Sequence, residues 1–469
     1  MIPVSLSWVA EQVNGQLIAQ QQQNLIIEGV STDTRSIQST DLFLALKGPN
    51  FDGHKFIQQA EEKGAVALIL SQHVETKLPY ILVEDTTLAL GLLGAAVKAK
   101  VAPKTVGITG SSGKTTVKEM VAAILSRRGK VLATNGNFNN ELGVPMTLLR
   151  LEQQHEFAVI EMGANHLGEI AYTTNLVKPD VATIVNAAAA HLEGFGSLLG
   201  VARAKSEIFK GLSENEGLAI VNADSQFADY WLGKLKYNKV QTFSAEKPAD
   251  VYAEDIILGL DGCAQFELVT PKGRIAISLS LPGEHNVSNA VVATALALEV
   301  GATLQDVREG LRDMPHVAGR LHVKQLTNQV KILDDTYNAN VGSVNAAIDL
   351  LSSFAGIKIL VLGDMAELGE KARYYHEQVG EYAKQKGIDK LYTLGVLSQS
   401  ASDVFADQGR HFSRVEQVVE FINQQTLPQK CDISILVKGS RSARMELVVK
   451  ALEESPLGKL ERFRERIAC

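Results

Sequence analysis

The stretch from Thr105 to Arg127 constrains this 469-residue chain more than any other. An apolar run, Thr105-Val106-Gly107-Ile108-Thr109, passes without a break into Gly110-Ser111-Ser112-Gly113-Lys114-Thr115-Thr116 and then into a helical stretch, Val117 to Arg127. A buried strand feeding a glycine turn and a helix is one limb of a βαβ unit, so the fold around it must be α/β with a mainly parallel sheet. Its chemistry lies in the residue order. Glycines let several N–H groups and the helix N-terminus converge on phosphate oxygens, Lys114 adds a point charge, and the hydroxyl of Thr115 suits Mg²⁺. The loop is a variant, because Ile108 stands where the standard phosphate-loop pattern has its first glycine.

The same alternation of apolar strands and helical runs extends along the chain, whose length predicts about three domains. Residues 1–98 mix short strands (Ala65 to Leu70, Tyr80 to Val83) with helical stretches such as Lys55 to Lys63 and read as a small α/β domain. Residues 99–315 form the central phosphate-loop domain, with strands at Phe157 to Ile160, Val181 to Val185 and Leu218 to Val221. A β-rich patch, Asp250 to Leu281, interrupts that alternation, and Met314-Pro315 closes the domain. Residues 316–469 repeat the pattern, with strands near 331–333, 358–362, 391–394 and 433–437, and predict a Rossmann-like third domain. Gln20 to Gln23 reads as a solvated loop.

A net charge of −7 supplies no positive field for nucleic acid or anionic lipid. Cys263, Cys431 and Cys469 are odd in number, far apart and without metal-site spacing. No Lys or Arg precedes Arg35, as a secretory signal would need, and no apolar run approaches a membrane span. The expectation is a cytoplasmic protein with neither a nucleic-acid nor a membrane partner.

Other candidates sit where an α/β sheet places its sites, at the C-terminal ends of strands. Glu161 follows Phe157 to Ile160 and is the carboxylate expected to share Mg²⁺ with Thr115. His191 lies in a loop after another strand and is either a functional ligand or an ordinary hydrogen-bonded histidine. Lys205, in a predicted helix, reads on composition alone as a solvated lysine. Asn286 and Asn289 head a further helix, where Asn286 is either a cap or a contact to a nucleotide base.

Taken together, Thr109-Gly110-x-x-Gly113-Lys114-Thr115-Thr116, Glu161-Met162-Gly163-Ala164, Ala190-His191-Leu192-Glu193, Pro282-Gly283-x-His285-Asn286-x-x-Asn289 and Gly319-Arg320 resemble the Mur ligases. These are ATP-dependent amide-forming enzymes of peptidoglycan precursor synthesis. Ser31-Thr32-Asp33-Thr34-Arg35, Asp41 to Gly48 and Asp52-Gly53-His54 resemble the uridine-diphosphate-binding first domain of the two later ligases. Asp334 to Asn340, Gly363 to Gly369 and Lys438-Gly439-Ser440-Arg441 are similar to the member that joins D-alanyl-D-alanine to UDP-N-acetylmuramoyl-tripeptide. The Asp-Asn-Pro-Arg segment of the tripeptide-forming member is absent.

The resemblance implies roles. Thr109, Gly110, Ser111, Ser112, Gly113, Lys114, Thr115, Thr116, Asn286, Asn289, Arg320 and Asp335 would bind ATP. Thr115 and Glu161 would hold one Mg²⁺, and His191 with Lys205 as a carbamate a second. Lys114, Glu161, His191, Lys205 and Arg320 would carry catalysis through an acyl phosphate. Ser31, Thr34, Arg35, Lys47, Asp52, Gly53 and His54 would take the nucleotide-sugar peptide. Asn338, Asn340, His376, Lys438, Ser440 and Arg441 would take the dipeptide. A monomer is expected, its third domain closing onto the loop. Departures from the family pattern are Val341 where proline is usual, Ala189 where glycine is common, and Thr40 where glycine is usual. Rival readings are another Mur-type ligase, tripeptide-forming or folylpolyglutamate-type, and an ATP-dependent switch or scaffold that forms no bond.

Overall fold

The computed structural model describes residues 1–18, 22–48, 50–188, 192–213, 216–315, 319–429 and 431–458. Its central sheet has nine strands, in the order Val131–Ala133, Phe157–Glu161, Lys104–Thr109, Val181–Ile184, Leu218–Asn222, Lys239–Ser244, Val251–Leu258, Cys263–Thr270 and Gly273–Pro282. Pairing is parallel as far as Val251–Leu258, and the last two strands add on antiparallel. The β-rich patch therefore does not interrupt the α/β unit. Val251–Leu258 joins the parallel edge, and short turns then favour antiparallel neighbours because no crossover helix is available.

Lys104–Thr109 lies inside the sheet, between Phe157–Glu161 and Val181–Ile184. The helix that follows, Lys114–Leu125, buries Val117, Met120, Val121, Ile124 and Leu125 against one sheet face. That three-and-four spacing is the apolar stripe of a core-facing helix. Each such side chain contributes roughly 1.5–3 kcal/mol of burial, so the loop is held between two rigid elements.

The first domain is built on a five-stranded sheet, ordered Gln16–Ile18, Tyr80–Leu82, Ala67–Leu70, Asp41–Leu44 and Gly29–Ser31. The helix expected from Lys55 to Lys63 is shorter. Asp52 accepts the N–H of His54 and starts a 3₁₀ turn, Gly53–Phe56, before the α-helix Ile57–Glu62. Helix Thr86–Val101 starts on Asp85, whose carboxylate accepts the N–H groups of Thr87 and Leu88, and ends at Ala102, which has left-handed backbone. It runs through residue 98 and packs on the central domain, where a Cβ at Gly94 would lie 3.0 Å from the Pro145 carbonyl. Leu90, Leu93 and Val97 thus share one apolar core with Val144, Leu148 and Ile170.

The C-terminal sheet has six strands, ordered His322–Gln325, Val330–Asp335, Ile433–Lys438, Ile357–Gly363, Lys390–Leu394 and Gly409–Phe412. All but the first pair are parallel. Its two faces carry their own cores, one around Leu333, Ile348 and Leu362 and the other around Ile332, Val361 and Ile435. The three-domain α/β architecture with a mainly parallel central sheet is what the sequence predicts. Gln20 and Gln21 lie outside the described residues.

Candidate active site

The loop is stitched into place before any ligand is considered. The N–H of Ser111 donates to the Asn186 carbonyl at 3.0 Å, and that of Ser112 to Asn186 Oδ1 at 2.9 Å. Asn186 Nδ2 returns a bond to the Ser112 carbonyl at 3.1 Å. Ser111 Oγ donates to the Ala188 carbonyl and accepts its N–H. Asn186 follows the neighbouring strand, so this residue, absent from the predicted site, sets the loop's shape. Gly113 has φ +76°, and a Cβ there would lie 2.7 Å from Asn289 Oδ1, so both conformation and space require glycine.

Lys114 Nζ donates to the Gly110 carbonyl at 2.8 Å, folding the ammonium back over the turn. Burial pushes its pKa down and Arg320 adds to that, while the Glu161 carboxylate pulls the other way. Thr115 Oγ1 donates to Glu161 Oε2 at 2.9 Å, and Asn139 Nδ2 donates to Glu161 Oε1 at 2.9 Å. Glu161 is 2% exposed. Thr109 Oγ1, also buried, has no hydrogen-bond partner among the described residues.

The third domain meets this centre directly. Arg320 Nη2 donates to Thr115 Oγ1 at 3.0 Å, its guanidinium lies 4.2 Å from the Tyr337 ring centroid, and its buried Nε has no partner among the described residues. Asn340 Nδ2 donates to the Ser111 carbonyl at 3.2 Å. Its Oδ1 accepts the N–H of Ser343 and starts helix Val341–Ser353. Val341 is thus the first helical residue, a position that proline tolerates because its N–H is not needed; the exchange leaves the backbone path intact.

A cavity of about 1000 Å³ spans the two domains. Ser112, Gly113 and Thr116 line it from the loop, Asn286 and Asn289 from helix His285–Glu299, and Arg320, Asp335 and Lys438 from the third domain. Asn286 is no cap: its Nδ2 donates to the Pro282 carbonyl at 2.7 Å and its Oδ1 accepts from Asn289 Nδ2 at 2.9 Å. The pair is a preset amide network on the cavity wall.

Lys205 is not solvated. It closes helix Leu198–Lys205 at 2% exposure, with its ammonium 5.9 Å from the Phe195 ring and no carboxylate in ion-pair range among the described residues. Burial, aided by the Lys114 charge, holds its pKa well below the ordinary lysine range. His191 and Ala189 lie outside the described residues.

Several expected substrate contacts are occupied by the scaffold. His376 is fully buried, its Nε2 accepting the Met365 N–H at 2.9 Å and its Nδ1 lying 2.7 Å from the Ala372 carbonyl. A dipeptide would find neither nitrogen free, so His376 is corrected to a support of the 364–368 segment. Ser440 donates to the Asp364 carbonyl at 2.6 Å. Lys438 pairs with Asp335 and donates to the Asn338 carbonyl. Arg441 is exposed and pairs with Glu446.

In the first domain, His54 Nδ1 lies 2.7 Å from Asp52 and its Nε2 accepts the Ser71 N–H, so its ring is fully engaged. Gly53 packs 2.9 Å from the Ala45 backbone, measured from an ideal Cβ. Ser31 bonds the Asp33 carbonyl and Thr34 bonds Gln59. Arg35 pairs with Asp33 at the surface, holding that carboxyl down at about 2, and Lys47 is exposed. A second cavity, about 360 Å³, opens between the first and central domains beside Thr32, Asn135, Phe138 and Arg150. The predicted first-domain residues do not line it.

Two oxygen donors, Thr115 and Glu161, suit Mg²⁺, which keeps most of its waters and shares phosphate oxygens. No cluster of three His, Cys, Asp or Glu side chains among the described residues offers an all-protein metal cage. Among those residues no helix is long and apolar enough to cross a membrane.

Comparison with known proteins agrees with this geometry. Residues 108–297 match the Mur ligase middle domain, 319–441 the Mur ligase glutamate ligase domain, and 26–126 the Mur ligase family catalytic domain. The chain is 48% identical over 456 residues to UDP-N-acetylmuramoyl-tripeptide--D-alanyl-D-alanine ligase of Escherichia coli K12, covering 97% of this chain and 99% of that protein. A crystal structure of MurF from Acinetobacter baumannii superposes with a TM-score of 0.91 at 38% identity, covering 97% and 99% of the two chains. The MurF ligase of Thermotoga maritima in complex with ADP gives 0.81 at 30%, covering 92% and 98%. By sequence, architecture and phosphate loop alike, the chain belongs to the Mur ligase family.

Proposed function

We propose that the chain is the ATP-dependent ligase that joins D-alanyl-D-alanine to UDP-N-acetylmuramoyl-tripeptide. The observation that carries this reading is the meeting of Lys114, Thr115 and Glu161 with Arg320 of the third domain, beside Gly113 and Thr116, which with Arg320 line a cavity large enough for a nucleotide. A carboxylate is a poor acyl donor, so amide formation in water requires its conversion to a better electrophile. Lys114 and the loop N–H groups hold the β- and γ-phosphates, and the unpartnered Arg320 Nε and Thr109 hydroxyl are further donors for them. Asn286 and Asn289 line the wall for the rest of ATP.

Thr115 and Glu161 would hold Mg²⁺, which would supply the charge that lets two anions approach. Lys205, whose environment favours the neutral amine, is suited to carbamate formation and would hold a second Mg²⁺ with His191. The substrate carboxylate attacks the γ-phosphorus and ADP leaves. The dipeptide amine then attacks the acyl carbon and phosphate leaves. An α-amino group with pKa about 7.7–8.0 is partly neutral near pH 7, so no strong base is required.

Arg35 and Lys47, both exposed cations, are the candidates for the nucleotide-sugar diphosphate, and Asn338 and Arg441 those for the dipeptide. The enzyme acts as a monomer in the cytoplasm, where ATP and the soluble precursor meet. Incubating it with UDP-muramoyl-tripeptide, ATP and D-alanyl-D-alanine and weighing the product tests the reading. A mass gain equal to the dipeptide minus water, with one ADP per product, is expected. ATP hydrolysis with no mass gain sinks it.

A further inference from the structure

Phosphate binding leaves one buried cation of the loop helix unused. Lys118 lies one turn beyond Lys114, on the same face, and is 2% exposed. Its Nζ donates to the Thr134 carbonyl at 2.7 Å and pairs with Glu119 Oε1 at 2.6 Å. Taking an ammonium out of water carries a desolvation penalty that a methionine in the same slot would avoid. The amine is therefore to be understood through what it holds.

It holds Thr134, the residue directly after strand Val131–Ala133. The Thr134 N–H donates to the Val159 carbonyl at 3.1 Å, and its Oγ1 accepts the N–H of Glu161 at 3.0 Å. One residue thus receives Lys118 on its carbonyl and fixes the main chain of Glu161 with its hydroxyl. The Glu161 side chain is held separately, by Thr115 and Asn139. Backbone and carboxylate of the same residue are gripped from three directions, two of them starting on the loop helix.

We propose that Lys118 is a positioning residue for the metal-binding carboxylate, acting through Thr134 on the backbone of Glu161. The inference rests on the assignment of Glu161 to Mg²⁺. Mg²⁺ demands near-ideal octahedral geometry, so a carboxylate anchored on a loosened strand end binds it less well even when its side-chain bonds survive. Lys114 and Lys118 divide the work of one helix: the first faces phosphate, the second braces the ligand of the metal.

The test uses the full chain with ADP and Mn²⁺, bound metal being read by electron paramagnetic resonance, alongside the Mg²⁺ dependence of ligation and thermal melts. Lys118→Met and Thr134→Val are each expected to weaken Mn²⁺ binding by about 10-fold, the lower end of the effect of residues that orient a metal ligand. The KM for the tripeptide nucleotide should stay unchanged. Because both act through one chain of contacts, the double variant should be no weaker than the weaker single. A folded Lys118→Met with wild-type Mn²⁺ affinity, or additive effects, overturns the proposal. If Lys118→Met does not fold, wild-type affinity in Thr134→Val overturns it equally. Glu161→Gln separates the two layers: if it keeps wild-type Mn²⁺ affinity, the metal assignment fails and takes the proposal with it, whereas weak binding in Glu161→Gln alone rejects only Lys118.

Discussion

The phosphate loop and the third-domain cluster were expected to be two halves of one site, and they use their polar groups in opposite ways. Around the loop, Asn186, Glu161, Asn289 and Arg320 arrive from four separate elements, three of them line the cavity, and the buried Arg320 Nε and Thr109 hydroxyl have no partner among the described residues. In the third domain, His376 accepts the Met365 N–H, Ser440 donates to the Asp364 carbonyl, and Lys438 is spent on Asp335 and Asn338. A short motif thus marks a place in the fold, and only the partners of each side chain decide whether it faces a ligand or the scaffold.

The sharpest way to break this contrast is Lys114→Ala. Loss of the loop cation should lower kcat/KM by about 100- to 1000-fold, the range for preorganised groups that stabilise developing charge. ADP release with all three substrates measures it, and a small effect would falsify the loop's role. Asn186→Ala comes next. It removes the side-chain stitches on Ser112 but leaves the main-chain bond from Ser111 and removes no charge, and a loop misplaced by an ångström costs about 100-fold in rate.

His376→Leu probes the other side. Leaving the buried Met365 N–H without its acceptor should cost about 1–3 kcal/mol of stability, seen as a lowered melting temperature, with the dipeptide KM unchanged. A raised dipeptide KM would restore His376 to the site.

The smallest effect concerns pH. Burial lowers the Lys205 pKa, so the folded chain binds fewer protons there than the unfolded chain, whose lysine titrates near 10.4. The penalty of the buried charge is constant below the folded pKa, and stability is recovered as pH rises from that value toward 10.4. In bicarbonate-free buffer, the melting-temperature advantage of Lys205→Met over wild type should therefore shrink between pH 7 and pH 9.5. An advantage that stays constant would mean that Lys205 stays charged.

How much of this was legible depends on whether the signal was local. The strand, loop and helix around Gly113 were, because periodicity and glycine geometry act within a few residues. The place of Glu161, at a strand end beside the loop, was too, because neighbouring parallel strands end at the same edge of such a sheet. Asn186 and Thr134 were not: an asparagine or threonine after a strand is common, and only the register of neighbouring strands brings Asn186 to the loop and Thr134 to Glu161; Asn139 reaches Glu161 from the coil beyond Thr134, which no local pattern marks. Lys118 and Lys205 look like surface residues in sequence, and their burial follows from how two helices pack. The three-stranded antiparallel extension was visible as β-rich, but whether it would form a separate unit or lengthen the sheet depends on long-range pairing.

The continuous interior beneath helix Thr86–Val101 limits how this chain can be recombined with its relatives. A chimaera exchanged at residue 98 would part Leu90, Leu93 and Val97 from Val144, Leu148 and Ile170, so donor and recipient would have to match along a buried seam. The C-terminal sheet, with an interior on each of its own faces, carries no such seam. Its partner in a graft must match at Thr115 and Ser111, where Arg320 and Asn340 reach across, and at Gly262, where an ideal Cβ would lie 2.6 Å from Leu350.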